Sequence, residues 1–193
     1  MLFRSIGSCA PIPLEQMIRI SKDFFSESKI EEKIDNLSNL MIGLQNEEYQ
    51  IIILPYEAKV EGVYCKKYGE ETLMFLLPTL HQFAEKESLY MKDLDGEIML
   101  LLSDIGFWSD IPKEKMPNTK FLLQNERFAF YELVHSSILP NFTTDLAIKQ
   151  DGIPEGRVVV PILDKEAKVT YYLCCLEKNK KLYQNLLLNS MLS

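Results

Sequence analysis

The sequence predicts an α/β protein made of two small units joined by extended strands. Three observations lead there. Strand-like and helix-like segments alternate early in the 193-residue chain, and the alternation begins again later. The two series are separated by "TLHQFAEKESLYMKDLDGE", which is polar, rich in turn residues and without a long helical period. The strands "IIILP", "LMFLLP" and "IMLLLS" are short and almost wholly apolar, as strands buried on both faces of a parallel sheet are.

Taken in order, Leu2, Phe3 and Ile6 form a short buried strand that ends at Gly7-Ser8. From there Leu14, Met17, Ile18, Phe24 and Phe25 fall at the spacing of a helix with one face in a core. Ser8 or Cys9 therefore sits at the mouth of a helix, where amide N–H groups without an intrahelical partner attract ligand oxygens. "SKIEEKI", from Ser28 to Ile34, reads as a second strand. "NLSNLMIGLQN" sets Leu37, Leu40, Met41 and Leu44 on one helical face, and "YQIIILP" is a strand closed by Pro55. Strand, helix, strand, helix, strand is the signature of a parallel sheet with right-handed crossovers.

"VYCKKYGEE" and "TLMFLLP" read as two further strands. After the turn-rich segment, "EIMLLLSD" is a strand, "GFWSDIPKEKM" a loop opening a short helix, and "TKFLLQ" a strand. "NERFAFYELVHSSI" is a helix with Phe130, Leu133, Val134 and Ser137 on one side. "LPNFTTDLAIK" begins as a strand and turns, "RVVVPIL" and "AKVTYYLCCLE" are strands, and "NKKLYQNLLLNSML" is a closing helix. Two α/β units linked by strands make a clamshell, an architecture that binds small molecules in the cleft between its lobes.

With 47% hydrophobic and 25% charged residues, the chain is outside the disordered class. Its net charge of -7 argues against direct contact with nucleic acid, because phosphates need clustered Lys and Arg. Lys66-Lys67 and the group from Lys178 to Lys181 read as solvated surface. No apolar run approaches the ~18 residues of a membrane span, and Arg4 and Ser5 interrupt the only candidate signal peptide. A soluble cytoplasmic protein with no membrane partner is expected. Among the four cysteines, Cys174 and Cys175 point to opposite faces of a strand and cannot serve one site. Cys9, Cys65, His81 and His135 complete no zinc spacing with them, so reduced, mostly buried thiols are expected, with no metal and no cofactor. There is no Gly-rich phosphate loop and no paired His and Cys with an orienting group, so no catalytic residue is assigned and no enzyme is expected.

Four stretches, "IGSCAPIPLEQMI", "LMIGLQNEEYQIIILP", "EETLMFLLPTLHQFAEKESLYMKDLDGEIMLLLSD" and "NERFAFYELVHSSILPNFTTDLAI", together resemble the effector-binding domain of LysR-type transcriptional regulators, over essentially the whole chain. Two places depart from that pattern. His81-Gln82-Phe83-Ala84 stands where the family usually has His-Pro-Leu-Ala, and Ser136-Ser137-Ile138 where it often has Gly-Leu-Gly-Ile. The resemblance implies two Rossmann-like lobes joined by hinge strands, the type 2 periplasmic-binding-protein-like clamshell. Lobe I would hold 1–76 plus 169–193 and lobe II 77–168. It also implies a winged helix-turn-helix and a linker helix ahead of this domain, so the chain is expected to be a regulatory domain separated from its DNA-binding head.

Carried over by position, the resemblance implies a ligand held by Ser8, Cys9 and Ala10 in the first lobe. Ser103, Ile105, Gly106, Phe107 and Trp108 form the matching loop of the second. Against this, Ser8 also fits a plain helix cap, with Pro11 and Pro13 as early helix residues. Phe107 and Trp108 fit a ligand wall or a hydrophobic anchor of the lobe. Asn125, Arg127 and Phe128 open the second-lobe helix, with Asn125 suited to N-capping and Arg127 to clamping a carboxylate. Thr143 and Thr144 offer hydroxyls or turn chemistry, and Pro55 and Tyr56 end a first-lobe strand near the cleft. The expected partners are a small, anionic effector and a second copy of the chain in an antiparallel homodimer. DNA is reached only through the missing N-terminal domain. A transporter's solute-binding protein and a small-acid dehydratase-like enzyme are the alternatives on the same architecture.

Overall fold

The computed structural model describes residues 5–25, 30–103 and 105–192. Leu2 and Phe3 of the expected first strand, and Ser28 of the second, lie outside the described residues. The elements run β1 (Ser5–Ser8), α1 (Pro11–Phe24), β2 (Glu31–Ile34), α2 (Leu37–Gln45), β3 (Ile51–Leu54), β4 (Val63–Pro78), β5 (Ile98–Leu102), α3 (Asp110–Lys115), β6 (Lys120–Gln124), α4 (Arg127–Ser136), β7 (Asn141–Thr144), α5 (Asp145–Asp151), β8 (Arg157–Pro161), β9 (Lys168–Leu176) and α6 (Gln184–Asn189). They form two compact units: unit 1 is Met1–Glu70 with Val169–Ser193, and unit 2 is Glu71–Lys168.

Unit 1 is built on β1, which pairs in parallel with β2 on one side and β3 on the other; β9 is antiparallel to β3. All four residues of β3 are fully buried, a burial of roughly 1.5–3 kcal/mol per side chain that makes this strand the spine of the unit. Helix α2 starts where Asn36 caps it, its side chain accepting from Asn39 N at 2.9 Å. Its glycine has a packing reason: a Cβ on Gly43 would stand 2.5 Å from the Tyr49 ring, and one on Gly7 3.2 Å from the same ring. Tyr49 thus fills a slot that only two missing side chains leave open. Helix α1 buries Pro13, Leu14, Met17 and Ser21, while Phe24, expected in the core, is 40% exposed.

In unit 2, β4 pairs antiparallel with β7 and with β8, and β5 lies parallel to both β6 and β7. Helix α4 covers a core of Leu76, Leu100, Phe130 and Val134. Its C-terminal end is held by the buried Arg157 of β8. That guanidinium donates from Nε to Val134 O at 3.0 Å, from Nη1 to Leu139 O at 2.6 Å and from Nη2 to Ser137 O at 2.8 Å and to Val134 O. With backbone carbonyls as its partners in all four bonds, this arginine serves as the helix's C-terminal cap.

Several local expectations change. "VYCKKYGEE" and "TLMFLLP" are one continuous strand, β4, which carries the chain from unit 1 into unit 2. The polar run at Glu70-Glu71-Thr72 does not turn because both halves of β4 lie beside hydrogen-bonded neighbours, β9 for the first and β7 and β8 for the second. The turn after β7 is helix α5, too short to show a period, and the closing helix shrinks to α6. Helix α4 begins at Arg127 with Glu126 as its N-cap, so Asn125 lies one residue before the capping position.

The expected set of reduced thiols is overturned. Cys65 of β4 and Cys174 of β9 form a disulfide that closes a separation of 109 residues, while Cys9 and Cys175 are buried and take no part in it. Strand order, which the spacing of cysteines does not reveal, makes β4 and β9 neighbours and brings the two Cα atoms to 4.2 Å.

Candidate functional site

Each unit gathers the carboxyl ends of its parallel strands along one edge, the side of an open α/β sheet where ligands bind. In unit 1, Ser8 is registered with Ile34 of β2 and Ile53 of β3. The loops that leave this edge are therefore Cys9-Ala10, Asp35-Asn36 and Pro55-Tyr56, so Ser8, Cys9, Ala10, Pro55 and Tyr56 share one rim.

The chemistry of that rim is largely internal. Ser8 is fully buried; its Oγ donates to Ala10 O at 2.7 Å and accepts from Ala10 N at 3.2 Å. Cys9 N donates to Ile53 O at 3.1 Å. Among the first three residues of α1, Pro11 and Pro13 have no amide hydrogen, leaving Ile12 as the one that carries a donor. Tyr56 is 43% exposed and is the rim's large accessible side chain. Asp35, which sequence reasoning passed over, is the rim's charged centre. It pairs with Lys33 Nζ at 2.6 Å and accepts from Asn39 Nδ2 at 2.8 Å and Asn36 N at 2.9 Å. These donors, the Lys33 ammonium first among them, pull its carboxyl down to about 2.

In unit 2, Leu102 is registered with Gln124, and Leu100 with Asn141 of the parallel β7, so Ser103, Asn125 and Thr144 leave the same edge. Ser103 is exposed, and its Oγ lies 2.7 Å from Asn125 Oδ1 and 3.2 Å from Gln124 O. Since the hydroxyl has one proton, Asn125 takes it at the shorter contact. Glu126, the N-cap of α4, makes no side-chain cap bond, and the helix opens with the exposed Arg127 and Phe128. Thr144 caps α5 through Ala147 N at 3.1 Å, and Thr143 stands half-buried in β7 before it.

Ile105 leads into a 3-10 turn over Gly106–Ser109, where Gly106 takes a φ of +63° that side chains rarely adopt. The turn seats Trp108 inside the unit, only 3% exposed, with the Phe107 ring 4.5 Å away. Trp108 Nε1 donates to Glu71 Oε2 at 3.3 Å. Glu71 is 2% exposed, and Asp145 beside it accepts from Thr72 N at 2.8 Å and Leu146 N at 2.9 Å. Sequence reasoning missed both carboxylates. The signal available was two acids flanking apolar strand residues, which by itself reads as surface.

No protein-family model and no curated protein sequence matches the chain. Among solved structures, the reduced OxyR regulatory domain of Pseudomonas aeruginosa is 17% identical, with a TM-score of 0.72 over 98% of each chain. The regulatory domain of MetR, a LysR-family regulator from N. meningitidis, is 13% identical with a TM-score of 0.75 over 96% of this chain and 90% of that one. The effector-binding domain of a BenM variant is 16% identical with a TM-score of 0.69 over 98% and 93%. The chain has the two-lobed α/β fold of LysR-family regulatory domains.

Proposed function

We propose that this chain is the effector-sensing domain of a LysR-type transcriptional regulator and binds a small molecule at loops that leave the carboxyl ends of its parallel strands. The observation that carries the reading is the fold match, which runs over nearly the whole of this chain and of the regulatory domains it resembles. A ligand would act by its difference in affinity for two conformations of the domain, the only way binding shifts an equilibrium.

The two rims offer a ligand different chemistry. The α4 mouth, with Ser103, Asn125 and Arg127, would take the carboxylate of an anionic effector, because it has an uncapped helix start, a cation and an exposed serine whose one proton can turn from Asn125 Oδ1 to the ligand. Ser8, Cys9, Ala10, Pro55 and Tyr56 would be the contact set of the unit 1 rim, and Ile105, Gly106, Phe107 and Phe128 would border that of unit 2. Trp108 and Thr144 would act from behind it, as anchor and cap. Thr143 would offer a hydroxyl between them.

For assembly, we propose a homodimer in which α1 and β2 of one copy meet α4 of the other. Strand β2 is an exposed edge, and α4 turns Phe128, 77% exposed, and Tyr131, 43% exposed, outward. DNA contact would belong to a winged helix-turn-helix outside these residues, in a cytoplasmic regulator. No helix among the described residues is long and apolar enough to cross a membrane.

The test is a thermal-shift screen of the purified chain against small carboxylates and their uncharged amides. A native-state ligand raises the melting temperature in proportion to RT ln(1 + [L]/Kd), so at least one carboxylate should raise it with rising concentration while its amide does not. A panel with no such member, or with amides as effective as acids, overturns the reading.

A further inference from the structure

We propose that the Cys65–Cys174 disulfide is a reversible staple across the two strands that carry the chain between its units, opened by thiol attack at Cys65. Strand β4 passes from unit 1 into unit 2 after Glu70, and β9 returns at Val169. Both cysteines lie on the unit 1 side of those crossings, each a short way from the boundary. Their Cα separation of 4.2 Å is that of facing residues on neighbouring strands, so the bond fixes the register of one crossing strand against the other. Once it opens, that register is held by the sheet alone.

The two sulfurs are not equivalent. Cys65 is partly exposed and Cys174 fully buried, so a dissolved thiolate reaches Cys65 Sγ and not its partner. With glutathione as the thiol, the first attack forms a Cys65–glutathione disulfide and expels Cys174 as a thiolate, which takes a proton from water. A second glutathione thiolate attacks the glutathione sulfur of that adduct, releasing oxidised glutathione and the Cys65 thiolate, which is protonated in turn. Two protein thiols are gained and two glutathiones are oxidised; the reverse sequence closes the staple.

No other cysteine intercepts the adduct. Cys175 adjoins Cys174 but faces the opposite side of β9, and burial pushes its thiol up to about 11, leaving almost no thiolate at neutral pH. Cys9 is buried on another strand connection. The exchange chemistry stands by itself, and only its use as a signal rests on the proposed sensing role.

The experiment holds the native full chain in graded ratios of reduced to oxidised glutathione with no effector present. Samples are quenched in acid, alkylated and mapped by peptide mass spectrometry, with hydrogen exchange measured in parallel. The expected result is interconversion of the bonded and doubly alkylated forms without denaturant. Glutathione should be found on Cys65 alone, and amides of Val63–Glu70 and Val169–Leu176 should exchange at least tenfold faster in the open form. Glutathione on Cys174, a bond that opens only in denaturant, or equal exchange in both forms overturns the inference. Cys65→Ser should reproduce the open form's exchange; if that variant does not fold, alkylated reduced protein serves in its place. Because no effector enters the experiment, its failure leaves the sensing role standing, and a failed effector screen leaves the staple standing.

Discussion

The rims of unit 1 and unit 2 have the same topological origin, at the carboxyl ends of parallel strands, and opposite chemistry. In unit 1 the serine is buried and spends both its donor and its acceptor on Ala10, and prolines remove two of the first three amides of α1. In unit 2 the serine is exposed, the helix start has no side-chain cap, and an arginine stands at its first position. A shared strand-to-helix plan therefore does not confer a shared donor set. What decides is whether the loop's own side chains already satisfy its amides.

The same contrast runs through stability, since each unit locks its helices differently. Arg157 should be the most costly single truncation. Arg157→Leu strips the donors from Val134, Ser137 and Leu139 carbonyls at the end of α4 and should cost roughly 3–4 kcal/mol. Urea melts would show this as a lower midpoint, with hydrogen exchange placing the loss in unit 2. Gly43→Val tests the unit 1 counterpart. Driving methyl groups into the Tyr49 ring should cost about 3 kcal/mol, a fall in melting temperature of roughly 6–12 °C. Relief by a second change, Tyr49→Leu, would confirm that this ring is the obstacle. Asn36→Ala removes the α2 cap and should cost about 1 kcal/mol in the same melts.

Asp35 gives a defined acid signature. Its folded-state carboxyl titrates at about 2, below the ordinary value near 4 for an unfolded chain. The unfolded chain therefore binds the proton first as pH falls. Its stabilisation is present in full above about pH 5 and is lost between about pH 4 and pH 2. Chemical denaturation across that window should show a steeper loss for the natural chain than for Asp35→Asn; parallel curves would mean that the Lys33 and Asn39 contacts contribute nothing.

Period and composition made most of the fold legible. The apolar run of β3, the Leu40 and Leu44 face of α2 and the Phe130 and Val134 face of α4 are all where their spacing puts them, because burial on one face imposes that spacing. What stayed hidden depends on partners distant in sequence. Glu70-Glu71 looks like a break in β4 until its neighbouring strands are known, and Cys65 looks like a lone thiol until β9 is placed beside it. Helix α5 escaped because seven residues hold less than the two turns a period needs. At the rims, the residue types were readable but their commitments were not. Ser8 and Ser103 look alike in sequence, and only the folded backbone shows which hydroxyl faces inward.

The most direct measurement is a calorimetric titration of the carboxylate that raises the melting temperature most, against the natural chain, Ser8→Ala, Ser103→Ala and Arg127→Gln. Ser103→Ala and Arg127→Gln should each weaken binding about tenfold or more, the equivalent of roughly 1.4 kcal/mol, while Ser8→Ala should leave affinity within about threefold. A Ser8→Ala variant that loses more affinity than the two unit 2 variants would contradict the assignment of the anion to the α4 mouth.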